Sequence, residues 1–245
     1  MISIGCPIYR SISFCDFVYE SLMKNTPLLK NSGVEFYFVA NDATPEVKKH
    51  LIDKGYRHFV QENTRFTDEQ MKARGLAYPE YITRTYRGVN RILTEATGRY
   101  AVVISSDMCF SPGWLEALIR VQDGNTLVTS QLLEPPSFRA NLALGSVVCD
   151  AGYHPNGFDE ALFLSTADRA RRVGVRPGGQ FVPMMIPIPL VQKNGAFPEG
   201  NVYNGDYWGI PGDISFTNRF IVAGTPHLTA LDSIVYHFTE GEMRE

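Results

Sequence analysis

Apolar residues recur along this chain in two rhythms, one suited to strands and one to helices. Ile2 to Ile8 is a short strand-like run, closed by Pro7 because proline cannot donate to a sheet ladder. Phe14 to Leu29 then places Phe14, Phe17, Val18, Leu22 and Leu28 near one stripe, the pattern of an amphipathic helix. Val34 to Ala40 is a second strand ending in Asn41-Asp42, and Thr44-Pro45 reads as N-cap and first helical residue of a helix through Ile52. Arg57 to Val60 is a third, shorter strand. Strand, helix, strand, helix, strand implies a parallel, doubly wound sheet.

Glu62 to Pro79 is polar and irregular, with the length of a functional or mobile loop. From Tyr81 to Ala96 the helical rhythm returns in Ile82, Tyr86, Val89, Leu93 and Ala96, while Arg84, Arg87 and Arg91 fall on another face, and Gly98 stops the helix. That arginine stripe is an ordinary solvated face unless one arginine, or Asn90, points at a bound phosphate. The segment from Arg99 to Leu118 organises the chain. Tyr100 to Ile104 is a strand apolar enough for the middle of a covered sheet, and Ser105, Ser106 and Asp107 stand at its C-terminal end, where open α/β sheets bind ligands. Ser111 and Pro112 suit the N-cap and first position of the helix carrying Trp114, Leu115 and Leu118. Further on, Asn125 to Leu133 and Ser146 to Cys149 read as strands, Phe158 to Val173 as a helix, and the proline-interrupted Phe181 to Val191 as a sheet edge. Asp213 to Ala223 reads as a helix closed by Gly224, and Ser233 to Phe238 as a last short strand containing His237.

Composition narrows the function classes. The 245 residues, 44% hydrophobic and 20% charged, suffice for one sizeable core, with no repeat or linker. A net charge of -3 and a pI near 6.0 leave no electrostatic footprint for nucleic acid or an anionic membrane. Cys6, Cys15, Cys109 and Cys149 lack Cys-x-x-Cys spacing and read as reduced core residues, neither a disulfide framework nor a zinc site. No apolar run reaches membrane-spanning length and no signal-like segment leads the chain, so a cytoplasmic protein without a transmembrane segment is expected.

With these pieces in order, the chain resembles inverting nucleotide-sugar glycosyltransferases of the GT-A fold, family 2, over nearly its whole length. ISIGCPIYR is similar to that family's first strand and Pro-x-Tyr turn, which implies donor contacts at Pro7 and Tyr9. FVANDAT resembles the second strand, whose terminal aspartate contacts the nucleoside base, here Asp42. VNRILTEATGRYAVVISSDM resembles the family's run into an Asp-x-Asp turn, with Asn90, Ala96, Gly98 and Tyr100 in matching places. NGAFPEG resembles a Gly-Gly-Phe-x-Glu segment before the acceptor site, which includes Glu199. GDISFTNRFIVAG resembles the segment that brings the catalytic base, an arginine and a glycine, here Asp213, Arg219 and Gly224, and SIVYHF resembles the strand that delivers a metal-binding histidine, here His237. The resemblance implies a single Rossmann-like domain with a mostly parallel sheet flanked by helices. Residues 1–120 would then bind nucleotide, and residues 121–245, irregular on the acceptor side, would bind acceptor and carry catalysis.

Two positions depart from the pattern: Ser105 replaces the first aspartate of Asp-x-Asp, and Gly212 replaces the glutamate before the base. The first removes an anionic oxygen that a hard divalent cation prefers. The implied chemistry is transfer of a sugar from a nucleotide-sugar donor, a UDP-sugar, to a hydroxyl of a glycan, lipid-linked or protein acceptor, assisted by Mn²⁺ or Mg²⁺ on Asp107 and His237. Arg84, Asn90, Ser106 and Asp107 are expected on the nucleotide side. Asp206 is the rival base, and Tyr207 and Trp208 beside it would form a platform for a sugar ring. Each residue also has a plain reading: Asp107 as a turn carboxylate, Asp42 as a strand end, Asp213 as an N-cap, His237 as a half-buried strand histidine, Tyr207 and Trp208 as loop packing. His227 is the other histidine candidate, too close to Gly224 for the spacing. The rival functions are a sugar-phosphate nucleotidyltransferase, for which CPIYRSIS lacks a glycine-rich phosphate loop, and a catalytically silent nucleotide-sugar or glycan binder, suggested by Ser105.

Overall fold

In the computed structural model, which describes residues 1–136, 145–239 and 241–244, the N-terminal third alternates as its sequence pattern predicts. β1 (Ile2–Ile8), α1 (Ile12–Asn25), β2 (Val34–Asn41), α2 (Pro45–Asp53) and β3 (His58–Gln61) follow in order, and the strands pair in parallel. Ser11 caps α1 by accepting from the Phe14 N–H, and Thr44 caps α2 through the Val47 N–H. Pro27 stops α1 short of Leu29, because the residue before a proline is pushed out of the α region, and Pro27–Lys30 forms a separate 3₁₀ turn. β1 runs through Pro7, which lies in register with Val39.

The stretch expected to be irregular contains a short helix, α3 (Asp68–Ala73), started by a capping box between Thr67 and Gln70. α4 (Glu80–Glu95) then lays Tyr86, Val89, Ile92 and Leu93 on the sheet. It touches β1 directly at Gly5, where an added Cβ would overlap the Ile92 side chain. The helix ends at Glu95 with Ala96 extended, so Gly98 is not its cap; Gly98 is required because the Met1–Ile2 backbone passes against it.

β4 (Tyr100–Val103) joins β1 in parallel. After it come β5 (Met108–Phe110), α5 (Trp114–Val121), β6 (Leu127–Glu134), β7 (Val147–Val148), α6 (Glu160–Ala170), β8 (Val175–Pro177), β9 (Met184–Pro187), α7 (Ile188–Asn194), α8 (Gly212–Val222) and β10 (His227–His237). α5 is entered through Gly113 in the left-handed region, not capped by Ser111, whose hydroxyl instead donates to the Ile234 carbonyl. Among the described residues the strands form one 10-stranded sheet in the order β3-β2-β1-β4-β9-β6-β10-β5, with β7 on β6 and β8 on β10. The half up to β4 is parallel; β9 pairs antiparallel with both β4 and β6, which makes the whole sheet mixed. β9 is therefore an interior strand, not the edge its prolines suggest.

Period-two alternation sends Ile4, Cys6, Ile8, Phe38, Ala40 and Val102 to one face, against residues of α1, α2 and α5, and sends Tyr37, Val39, Ala101 and Val103 to the other, against α4 and α8. This is one α/β domain with helices on both faces. A third cluster joins Phe14, Phe163, Tyr236 and Phe238 around α6 and the end of β10. All four cysteines are buried and unbridged. No helix among the described residues is long and apolar enough to cross a membrane.

Candidate functional site

A buried polar cluster is assembled by two strand pairings that meet on β10. Antiparallel pairing with β5 sets His237 opposite Met108, one residue beyond Asp107. Parallel pairing with β6 sets Tyr236 opposite Leu133, one residue before Glu134. A register shift between Ala230 and Ile234 precedes this alignment, the kind of strand irregularity that re-aims side chains beside functional sites. Three residues distant in sequence thus converge. His237 Nε2 lies 3.3 Å from Asp107 Oδ2, and Nδ1 lies 2.9 Å from Glu134 Oε1. Asp107 is 7% exposed and Glu134 is fully buried.

Burial alone would lower the His237 pKa, but Asp107 and then Glu134 raise it to about 10, so a proton is held between imidazole and carboxylates. Burial would likewise raise the Asp107 carboxyl; His237 and a hydrogen bond from the Ser105 hydroxyl outweigh it and hold the group below the usual carboxylate range. Ser105 therefore orients Asp107 rather than adding an anionic ligand. His227 lies at the opposite end of β10, buried, with its pKa lowered by desolvation.

Asp107 and His237 are the residue types that would hold a divalent cation here: Asp107 Oδ2 offers an anionic oxygen and His237 Nε2 an imidazole nitrogen, 3.3 Å apart. Glu134 accepts from the other ring nitrogen, the outer-shell carboxylate that fixes tautomer and ring orientation in metal-bound histidines. Such binding needs a neutral imidazole at Nε2, so a cation would replace the proton now held there. Glu134 escapes the sequence reading because it merely terminates an apolar strand; its one signal is a carboxylate at the C-terminal end of an interior strand. Glu134→Gln is expected to weaken Mn²⁺ binding by about 10–100-fold, measured by calorimetry, with the fold intact. An unchanged Mn²⁺ affinity would remove Glu134 from the site.

Beside this cluster lies a pocket of about 530 Å³ lined by Tyr9, Arg10, Asn41, Tyr81, Arg84, Thr85 and Glu242. Asp42, at the end of β2, adopts φ 49°, a left-handed conformation that aspartate tolerates better than most residues. Its Oδ1 accepts from the Asn63 N–H at 2.7 Å, while Oδ2 is buried without a hydrogen bond, 3.7 Å from Arg84 Nη1. Arg84 Nε is also without a hydrogen bond, and the guanidinium stands 5.7 Å from the Tyr9 ring centroid. Ser106 connects this pocket to the Asp107 cluster: its hydroxyl donates to Glu242, which also accepts from the Tyr9 N–H. Tyr9, Asp42, Ser106 and Asp107 follow the C-terminal ends of β1, β2 and β4, His237 ends β10, and Arg84 of α4 lies against Asp42 and Tyr9, with half-buried Pro7 near the end of β1.

Other expected residues lie elsewhere. Asn90 is engaged by the chain itself: its amide donates to the Phe197 carbonyl and accepts from the Phe197 N–H, which ties α4 to the loop after α7. It borders a separate cleft of about 430 Å³ that also holds Arg87, Arg91 and Glu199. Glu199 is paired with Arg87 at 3.2 Å. Tyr207 and Trp208 are 49% and 53% exposed and pack edge to face at 5.6 Å, next to Tyr78, so they form an open aromatic surface rather than a buried one. Asp206 is exposed in the same loop. Asp213 is half-buried in the first turn of α8, where Oδ1 accepts from the Tyr86 hydroxyl at 3.1 Å and the Asp213 N–H donates to the Tyr86 hydroxyl oxygen. It is not the N-cap, a place held by Pro211 without a side-chain bond.

Gly212 has a steric reason. A Cβ there would stand 2.6 Å from the Gly200 carbonyl and 2.8 Å from the Tyr86 ring, so a glutamate does not fit this helix start. Gly212→Ala is expected to cost about 1–3 kcal/mol in urea unfolding, the penalty for overpacking a filled site; unaltered stability would show that Tyr86 yields freely. Arg219 braces the loop by donating to the Gly195 and Ala196 carbonyls.

A second cluster, Cys15, Asp16 and His50, holds three ligand atoms within 4.8 Å of one another between α1 and α2. Burial and Asp16 push its thiol up to about 12, His50 already bonds Asp16 at 2.7 Å, and Lys54 is 3.9 Å from the same carboxylate. It is a hydrogen-bonded helix contact with a protonated thiol, poorly matched to a cation.

Comparison with known proteins agrees with the fold. The chain is similar to the crystal structure of GalNAc-T7 with UDP, GalNAc and Mn²⁺, with a TM-score of 0.60 and 13% identity over 97% of this chain and 43% of that one. The fold is GT-A-like. The chain spans less than half the length of that solved protein. No family model matches the sequence, and no curated protein does.

Proposed function

We infer that this domain is a glycosyltransferase that takes a sugar from a nucleoside diphosphate donor, a UDP-sugar, and passes it to an acceptor hydroxyl with inversion. The observation that carries this reading is the Asp107–His237 pair, backed by Glu134 and joined through Ser106 and Glu242 to a pocket lined by Tyr9 and Arg84, with Asp42 Oδ2, which accepts no hydrogen bond, against Arg84. The solved neighbour holds UDP, GalNAc and Mn²⁺, the same ligand classes that such a site would take.

Asp42 Oδ2 would accept from a nucleoside N–H or hydroxyl, and its buried, unsatisfied state supplies the incentive. Tyr9 offers a ring face, 39% exposed, for the base, with Arg84 above it. Asp107 and His237 would hold Mn²⁺ or Mg²⁺ against the diphosphate. When bound, that cation neutralises the charge developing on the departing diphosphate. On the acceptor side, Asp213 takes the hydroxyl proton as the acceptor oxygen bonds to the anomeric carbon and the bond to the diphosphate breaks. The Tyr86 hydroxyl fixes one carboxylate oxygen of Asp213 and leaves the other for the acceptor. Tyr207 and Trp208 present aromatic faces suited to a sugar ring.

The test is thermal stabilisation by nucleotide sugars with and without Mn²⁺, since a ligand of the folded state raises its apparent stability by mass action, by about 2.7 kcal/mol at a hundredfold excess over Kd. UDP-sugars are expected to stabilise the wild type more with Mn²⁺ than without. Asp42→Ala is expected to lose about tenfold in UDP affinity by calorimetry, the order of a buried hydrogen bond to a charged group. Equal binding by both proteins would remove Asp42 from the site.

A further inference from the structure

One wall of the pocket is formed by a later segment of the chain, at Glu242. The 3₁₀ turn Gly241–Arg244 lies across the loop between β1 and α1. The Glu242 carboxylate accepts from the Tyr9 N–H at 3.2 Å, from the Arg10 N–H at 2.5 Å and from the Ser11 N–H at 2.8 Å. The Ser106 hydroxyl adds a fourth donor at 2.9 Å, and the Arg10 guanidinium clasps the Glu242 carbonyl at 2.8 and 3.0 Å. These N–H groups precede the helix proper, whose first turn is capped separately by Ser11. Together they form a concave nest of successive backbone donors, an arrangement that binds anions. Its occupant is an anion of the chain's own making.

Thr239, a β-branched residue, adopts φ 68°, and its hydroxyl is buried without a partner. Gly241 follows at φ 53° so closely against Asp107 that a Cβ would lie 2.7 Å from its carboxylate. The turn therefore covers the Asp107 carboxylate and fills the anion nest at once, held by charge-assisted bonds.

We propose that Glu242 is an intrasteric latch: its carboxylate occupies an anion subsite formed by the Tyr9, Arg10 and Ser11 amides with Ser106, and a phosphate-bearing ligand must displace it to enter the pocket. The latch rests on the donor reading only for the identity of the ligand excluded. Inorganic pyrophosphate and UDP are the probes that separate the two.

The full chain is compared with E242A and E242Q by backbone amide NMR and calorimetry. Pyrophosphate is expected to shift the Tyr9, Arg10 and Ser11 amides of E242A at about tenfold lower concentration than in the wild type, the factor by which a latch closed about ten times in eleven weakens apparent affinity. UDP affinity is expected to rise by the same factor, with E242Q intermediate because it keeps the shape and loses the charge. If E242A gains pyrophosphate at these amides while no form binds a nucleoside diphosphate, the latch stands and the donor reading falls. If UDP binds all forms equally and their amides respond alike, the donor reading stands and the latch is rejected. Weaker UDP binding by E242A, or no anion response in any form, also rejects it.

Discussion

Asp107→Asn is expected to abolish the effect of Mn²⁺ on UDP binding. The substitution keeps the volume of the side chain and an oxygen to accept from Ser105, so circular dichroism should show an unchanged fold. What it removes is the negative charge facing His237, in a site where the carboxylate is buried and held ionised. Ser105 occupies the position where the resemblance implies a further aspartate, so Asp107 is the only carboxylate that the Ser105–Asp107 turn offers. A hard divalent cation depends on anionic oxygen for its affinity. Mn²⁺ affinity is therefore expected to fall by more than the about 100-fold that loss of an outer-shell partner costs at most. EDTA should reduce the wild type to the level of the variant. If Mn²⁺ tightens UDP binding equally in both proteins, the cation sits elsewhere, and the Asp107–His237 pair is a structural ion pair.

The parts of this site that the sequence reveals are those whose local pattern carries the signal. β1, β2 and β4 are covered on both faces and read as apolar runs ending in polar residues, a pattern that by itself places Asp42 and Asp107 at the strand ends. Glu134 has no such pattern, because its role comes from a pairing between β6 and β10 that no spacing encodes. β10 itself is half hidden: the sequence suggests a strand only from Ser233, since Leu231-Asp232-Ser233 interrupts the apolar run where the register shifts. β9 misleads through its prolines, yet Pro183 precedes the strand and Pro187 ends it, so the residues between are free to pair on both sides. α3 buries Met71 alone, too little to leave a helical stripe. Asn90 stands in a matching motif position on an arginine-bearing helix, and no sequence pattern signals that its amide is spent on the Phe197 backbone. Glu242 lies in a tail that reads as merely polar, and its partners are some 230 residues away in sequence.

Asp213→Asn carries the other large expected effect, because the reaction type depends on it. A general base at this position would contribute about 10²–10⁴-fold, so if Asp213 is that base turnover should fall by at least about 10²-fold while UDP affinity changes little. The structure removes the competing explanation that the residue caps α8, since Pro211 is the N-cap and Asp213 lies inside the first turn. Its bond from the Tyr86 hydroxyl survives in asparagine, whose carbonyl oxygen accepts equally, so a loss of turnover cannot be assigned to a displaced helix. Asp206→Asn is the internal control: Asp206 is exposed, and its N–H turns back to the Asn204 side chain at 3.1 Å. Should Asp206→Asn abolish transfer while Asp213→Asn is nearly normal, the base belongs to the aromatic loop with Tyr207 and Trp208, and Asp213 only orders Tyr86. The anomeric configuration of the product decides the mechanism independently. A single displacement with Asp213 as base must invert it, whereas a retained configuration excludes that step whichever carboxylate proves essential.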